Sequence, residues 1–184
     1  MKDTNNRIHP QYTEILETLK GKKLEKVSID YGDSLNHSLS QFVILHLPNE
    51  SISLWSTEKQ NCPDEYPDLA EISVCKETEE QRTPSELQLV SFPINETIKT
   101  IEEVIETVAI TEPGKKSFAF TNTKAIIIHC DQSTLFLEKT CYWSEVWTIT
   151  LQPKEANYTF YNEWNDVEKD DLTAYNVTLE HHQI

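Results

Sequence analysis

The chain has 184 residues, and its 31 Asp and Glu against 16 Lys and Arg give a formal net charge of -15 at pH 7. Such an acidic surface repels phosphate, so we expect no nucleic-acid partner and no binding to an anionic membrane. An apolar fraction of 38% supports a packed core and excludes a disordered chain. Only three glycines occur, which excludes a glycine-rich phosphate-binding loop.

The first half of the sequence predicts one helix followed by strands. Tyr12, Ile15, Leu16 and Leu19 recur at the spacing of an amphipathic helix, and Gly21 is a suitable C-terminal stop. Apolar or alternating runs then predict five strands. These cover residues 24–31, 41–47, 51–56, 69–75 and 87–92.

The second half predicts the same order of elements. Asn95 is a suitable N-cap, and Ile98, Ile101 and Val104 follow at helical spacing, but β-branched residues become frequent after Val104. We therefore predict a short helix over 96–103 that passes into a strand over 104–111. Further predicted strands cover 118–121, 124–130, 134–138, 144–151 and 172–180. Strands this close in sequence favour antiparallel hairpins.

The two halves also resemble each other residue by residue. Residues 43–54 align with 126–137 at a constant offset of 83, and both read as an apolar strand ending in His, a turn and a second strand. Segment 24–29 aligns with 105–110 at an offset of 81. Ala70, Ile72 and Val74 align with Trp147, Ile149 and Leu151 at an offset of 77.

The predicted fold class follows from this repeat. We expect an α+β, β-rich single domain over residues 1–184, made of two tandem pseudo-repeated units at about 11–92 and 93–184. Each unit is a short helix followed by an antiparallel meander. Whether the two units form one sheet or pack as two stays open.

The predicted compartment is the cytoplasm. The first ten residues contain no apolar run suited to a secretory signal, and the longest apolar stretch, residues 125–128, is too short to cross a membrane. Cytoplasmic cysteines are normally reduced, and the spacing of the four cysteines matches no zinc motif. We therefore predict free thiols and neither a metal nor a cofactor. The cysteines are Cys62, Cys75, Cys130 and Cys141.

His46 and His129 occupy equivalent positions in the two halves, each at the end of a strand. One interpretation is a pair of metal ligands or acid–base groups that meet between the units. The other is a polar residue that closes a buried strand. No catalytic signature accompanies either histidine.

The charge is concentrated in two parts of the chain. Residues 58–112 carry 14 acids and 4 bases, and residues 152–184 carry 7 acids and 2 bases, while the rest is close to neutral. Tyr158, Phe160 and Tyr161 lie within the second acidic stretch, and this composition suits a protein contact or a loop pinned by its aromatics. The predicted partner-binding residues are Glu77, Glu79, Glu80, Glu163, Trp164, Asp166, Asp170 and Asp171.

Two functions are compatible with these patterns. The first is a non-enzymatic cytoplasmic interaction protein whose acidic surface binds a basic protein, in the manner of an immunity-type inhibitor of a basic toxin such as a nuclease. The alternative is a small-ligand-binding or metal-binding protein, or an enzyme, with its site between the two units. The sequence leaves the oligomeric state open.

Overall fold

The computed structural model describes residues 4–59, 69–77, 89–111, 118–141, 144–165 and 174–184. Within these residues, β-strands predominate, with one α-helix and one 3-10 turn. The elements are β1 (Thr4–Asn6), α1 (Pro10–Glu17), β2 (Lys23–Ile29), β3 (Ser38–Ser40), β4 (Phe42–His46), β5 (Ser51–Lys59), β6 (Leu69–Glu77), β7 (Val90–Thr97), β8 (Thr100–Thr111), β9 (Phe118–His129), β10 (Ser133–Lys139), β11 (Trp147–Pro153), the 3-10 turn (Glu163–Asn165) and β12 (Ala174–Gln183).

The strands form two sheets. The larger sheet has seven strands in the order β12-β8-β9-β10-β11-β3, with β1 paired in parallel to β9. The smaller sheet has five strands in the order β6-β5-β4-β2-β7, all antiparallel. The prediction of a β-rich protein with antiparallel sheets is therefore confirmed, and two sheets are present where the sequence left one or two open.

The two sheets pack face to face around one hydrophobic core. The smaller sheet contributes residues such as Leu45 and Ile52, and the larger sheet contributes Ile101 and Ile128. Helix α1 adds Leu16, which is completely buried. Because side chains alternate across a strand, each sheet has an inner face in this core and an outer face on the other side.

The predicted first helix is present, and its ends have local causes. Pro10 occupies the first helical position, where its missing N–H costs no hydrogen bond. The backbone N–H of Gln11 donates to Nδ1 of His9, the N-cap residue, at 3.4 Å. Gly21 lies beyond the helix with a φ of 78°, which suits glycine. No helix in the described residues is long and apolar enough to cross a membrane.

The predicted second helix, over 96–103, is wrong. These residues form the end of β7, a short connection and the start of β8. Ile98 and Ile101 are both buried in the core because the connection between the sheets interrupts the alternation of side chains. Strand β8 is then covered on both faces, so buried residues such as Val104, Ile105 and Val108 recur at a helix-like spacing.

The two sheets share a strand order but differ in register. The order β7-β2-β4-β5-β6 in the smaller sheet parallels β12-β8-β9-β10-β11 in the larger. The central hairpins match at the offset of 83, since His46 lies opposite Ser51 and His129 opposite Thr134. The preceding strands pair through Ser28–Ile44 and Glu102–Ile127. This pairing corresponds to an offset of 74 (102 minus 28), whereas the sequence alignment has an offset of 81. The duplicated unit stays a prediction.

Three cysteines lie in the described residues, and all three are free thiols. Cys130 is buried in the core, and this burial raises the pKa of its thiol to about 12. A thiol with such a pKa stays protonated and unreactive at neutral pH. Cys62 lies outside the described residues.

Candidate functional site

A segment that contains no strand crosses the outer face of the seven-stranded sheet. We call this segment, residues 156–165, the strap. Tyr158 stacks on Phe136 of β10 with 4.0 Å between ring centroids. Further along, Trp164 packs on Phe120 of β9 at 5.6 Å and on Tyr175 of β12 at 5.3 Å. The aromatic residues therefore hold the strap against three different strands.

Glu138 of β10 anchors the middle of the strap. The Tyr158 hydroxyl donates to Oε2 of Glu138 at 2.6 Å, and the backbone N–H of Tyr161 donates to Oε1 at 2.8 Å. Burial and the bond to Glu138 raise the pKa of Tyr158 above its usual value. The phenol is therefore a fixed, protonated donor at neutral pH.

Lys124 supplies the counter-charge to Glu138. Both side chains are almost completely buried, with Nζ of Lys124 3.6 Å from Oε1 of Glu138. The ammonium also donates to the carbonyl of Thr140 at 3.2 Å and lies 5.9 Å from the centre of the Tyr161 ring. Strand β9 has a β-bulge in which Lys124 is an extra residue with no partner in β8. This bulge directs the side chain of Lys124 to the outer face of the sheet.

The strap, β10, β11 and β12 line an open groove of about 950 Å³. The ring of His37 stacks on Tyr158 at 6.4 Å, and the hydroxyls of Thr140 and Thr148 lie 3.0 Å apart. Aromatic rings, hydroxyls and one carboxylate thus share the surface. The lining residues are His37, Glu138, Thr140, Thr148, Tyr158, Thr159, Phe160, Tyr161, Asn162 and Leu179.

Exposed hydrophobic side chains are concentrated around this groove. Tyr161 is 47% exposed and Leu179 is 42% exposed, and both line the groove. Leu39, which is 45% exposed, lies opposite Thr148 in the β3–β11 pair and therefore on the same face. Tyr31 is the fourth large exposed hydrophobic residue in the described residues. Three of four thus share one face, which is typical of a contact surface.

A carboxylate flanked by two imidazoles lies beside the groove. Oε1 of Glu102 is 3.1 Å from Nε2 of His129, and Oε2 of Glu102 is 3.2 Å from Nδ1 of His181. His181 also contacts Phe160 of the strap. The two oxygens of Glu102 thus serve two different rings, which joins β8, β9 and β12. Among the described residues, no group of three His, Cys, Asp or Glu is placed to hold a metal ion.

His46 lies in a different network from His129. Its Nε2 is 2.8 Å from the Ser28 hydroxyl and its Nδ1 is 3.0 Å from the Ser51 hydroxyl. The residues preceding both histidines point into the core, so alternation places His46 and His129 on the outer faces of opposite sheets. The structure therefore does not bring the two histidines together.

The predicted partner-binding residues divide into two groups. Glu163 and Trp164 are buried, each with 7% of its surface exposed, and Trp164 helps to pin the strap. Glu77 is the last residue of β6, and its side chain is not among the described parts. The remaining predictions lie outside the described residues. They are Glu79, Glu80, Asp166, Asp170 and Asp171.

Sequence reasoning missed several residues of the groove, although one signal was available. Lys124 and Glu138 flank the predicted hairpin, and its turn places Ala125 opposite Glu138. Pairing the two predicted strands residue by residue, starting from the turn, therefore places Lys124 and Glu138 next to each other. Leu39 and Leu179 carry no comparable signal, because their positions depend on pairings with distant strands.

Comparison with protein-family models, with curated proteins and with solved structures gives no significant match. The chemistry of the groove and its surroundings is therefore the basis for a functional proposal.

Proposed function

We propose that the protein is a non-enzymatic interaction protein that binds a basic protein partner through the outer face of the seven-stranded sheet. The observation that carries this proposal is the clustering of Tyr161, Leu179 and Leu39 around the strap groove. Exposed apolar and aromatic residues that surround a partly polar groove are characteristic of protein interfaces. The strap is anchored by buried Glu138, so its aromatic residues are ordered before a partner arrives.

The charge of the chain selects the kind of partner. Residues outside the described ranges include 12 acids and 5 bases, a net -7, and the described residues carry the remaining -8 of the total -15. Both parts are therefore acidic, and a basic protein is attracted from a distance. Aromatic rings such as Tyr161 also attract lysine and arginine side chains through cation–π contacts.

The sharpest form of this proposal is an immunity-type inhibitor that acts in the cytoplasm. A toxin such as a nuclease has a basic active site because its substrate is an anion. An acidic protein with an ordered aromatic surface can approach that site quickly and cover it. The acidic stretches predicted from sequence would then set the encounter rate, and the groove would set the lifetime of the complex.

The two sheets are also proposed to derive from a duplicated unit. Their shared strand order and the matching registers of the hairpins that follow His46 and His129 support this origin. Both histidines also contact a hydroxyl five residues later, Ser51 and Thr134 respectively. In this view, the strap groove is a feature that only the second unit acquired.

The partner proposal is tested by association kinetics. The partner is captured from native lysate on the immobilised protein, identified, purified and mixed with the protein in a stopped-flow instrument. Raising NaCl from about 20 mM to about 200 mM is expected to slow association about tenfold or more. An acidic partner, or an association rate that does not respond to salt, would overturn the proposal.

Charge reversal identifies the steering segments. Replacing the acids of either predicted segment with lysine should slow association with the partner at low salt. The control replaces Glu14 and Glu17, two exposed acids on α1, with lysine. Equal rates in the segment variants and the control would contradict the predicted segments. The two segment variants replace Glu77, Glu79 and Glu80, or Asp166, Asp170 and Asp171, with lysine.

A further inference from the structure

Strand β12 forms one edge of the seven-stranded sheet and pairs with β8 over its whole length. The N–H of Ile184 donates to the carbonyl of Ile101 at 2.9 Å, so these two residues are a hydrogen-bonded pair. Such pairs alternate in an antiparallel ladder, and the residues between them point their N–H and C=O away from β8. Those residues are Tyr175, Val177, Leu179, His181 and Gln183.

The other sheet edges carry features that limit pairing with another chain. Strands β1 and β3 have only three residues each, β7 contains Pro93 and β6 contains Lys76. Short strands, proline and lysine are the usual protection of sheet edges. Strand β12 has ten residues with neither proline nor lysine, and no described strand covers its outer side. It is therefore the least protected edge among the described strands.

The ribbon formed by β8 and β12 is acidic. Its two strands contain four glutamates and no lysine or arginine. Arg7 neutralises Glu103 at 2.7 Å and Glu106 is buried, whereas Glu102 and Glu180 stay partly or largely exposed. A strand added beside β12 would lie close to Glu180, while Glu102 lies one strand further in, on β8.

We propose that an extended basic segment of the partner protein adds to β12 as a further strand of the sheet. This inference rests on the proposed function and names the surface and the mode of binding. Backbone hydrogen bonds to the outward groups of β12 would supply affinity. Side chains on one face of the added strand would lie beside Leu179 and the groove, and those on the other face beside Glu180. Alternating apolar and basic residues fit this arrangement.

The test uses a fluorescein-labelled peptide of alternating lysine and valine with the ten-residue length of β12. Leu179→Pro removes an outward N–H without breaking a bond to β8, and Leu179→Ala is the matched control because it truncates the same side chain but keeps the N–H. Fluorescence anisotropy is expected to show about tenfold or greater loss of affinity in Leu179→Pro relative to Leu179→Ala.

A second arm does not depend on the folding of a variant. The unaltered protein is titrated with the same peptide carrying an N-methyl group on every backbone amide, which keeps the charges but cannot pair as a strand. Loss of binding supports strand addition. Equal binding of the methylated peptide, or no binding of the lysine–valine peptide at low salt, overturns it.

The remaining outcomes separate the two proposals. If the peptide binds in a salt-sensitive manner but Leu179→Pro equals Leu179→Ala, edge pairing is overturned while the basic-partner proposal stands. If a glutamate–valine peptide binds as well as the lysine–valine peptide, the charge basis of both proposals fails. If sedimentation shows that Leu179→Pro abolishes a dimer present in the unaltered protein, the occupant of the edge is a second copy and the proposed partner segment is wrong.

Discussion

Lys139 is a cation held inside the core. Its side chain is buried between the sheets, and Nζ donates to the carbonyl of Ala70 in the smaller sheet at 2.8 Å. Burial, and secondarily the positive charge of Lys124, lower the pKa of Lys139 to about 8. The hydrogen bond links the two sheets, but the charge itself opposes folding at neutral pH.

This arrangement predicts a pH-dependent stability difference. Between about pH 8 and about pH 10.5 the unfolded state binds more protons at Lys139 than the folded state, so this residue makes the protein more stable as the pH rises. Relative to Lys139→Met, the wild-type free energy of unfolding should increase by about 3 kcal/mol between pH 7 and pH 10.5. Urea unfolding of both proteins at the two pH values measures this change. A difference that is the same at both pH values would show that Lys139 titrates normally.

The variant comparison is needed because other groups titrate in the same range. Burial raises the pKa of Cys130 to about 12, so the folded state keeps its proton where the unfolded state loses it. This effect lowers stability as the pH rises above about 9. Both proteins contain Cys130, and its contribution cancels in the difference.

At the scale of elements, a single buried carboxylate anchors the middle of the strap. Glu138 accepts hydrogen bonds from Tyr158 and Tyr161 and balances the charge of Lys124. Breaking a buried ion pair by neutralising one partner leaves the other charge unpaired and is strongly destabilising. The strap and the ion pair are therefore expected to loosen together.

Glu138→Gln should lower the free energy of unfolding by about 3 kcal/mol or more and speed hydrogen exchange at the Tyr161 amide. Glu155→Gln is the matched control, since Glu155 is an exposed acid in the turn before the strap. Denaturant unfolding and hydrogen exchange with mass spectrometry provide the two readouts. Identical behaviour of the two variants would mean that Glu138 does not hold the strap.

Most strands could be predicted from alternation, but two features could not. Strand β9 continues through Asn122 and Thr123, where the sequence predicted a break, because both polar residues have buried partners. The Thr123 hydroxyl donates to Glu103 at 2.5 Å, and Glu103 is 20 residues away. Short strands such as β3 form only because a longer distant strand offers them a partner.

The groove was only partly predictable for a similar reason. The aromatic composition of the strap indicated either a contact surface or a pinned loop, and Tyr158 and Trp164 do pin it. The carboxylate between two imidazoles joins Glu102 to residues 27 and 79 positions away. Such contacts follow from sheet register, which depends on the whole core.

At the scale of the whole molecule, some of the acidic side chains lie in the interior and not on the surface. Glu103 and Glu106 belong to the acidic stretch 58–112, but both are buried. Arg7 pairs with Glu103, and the Asn122 amide donates to Glu106 at 3.1 Å. The net charge of -15 is unchanged. The long-range attraction of a basic partner therefore persists, while close contact depends on the groove.

The central claim is that the strap groove binds the basic partner, and one pair of variants tests it most directly. Tyr161→Ala removes a 47% exposed ring from the groove but keeps the backbone N–H that bonds to Glu138. Tyr31→Ala removes a 53% exposed ring from a loop outside the groove lining. Isothermal titration with the purified partner should show about tenfold or greater weakening for Tyr161→Ala and a change within about twofold for Tyr31→Ala. Unchanged affinity in Tyr161→Ala, or equal losses in both variants, would contradict the claim.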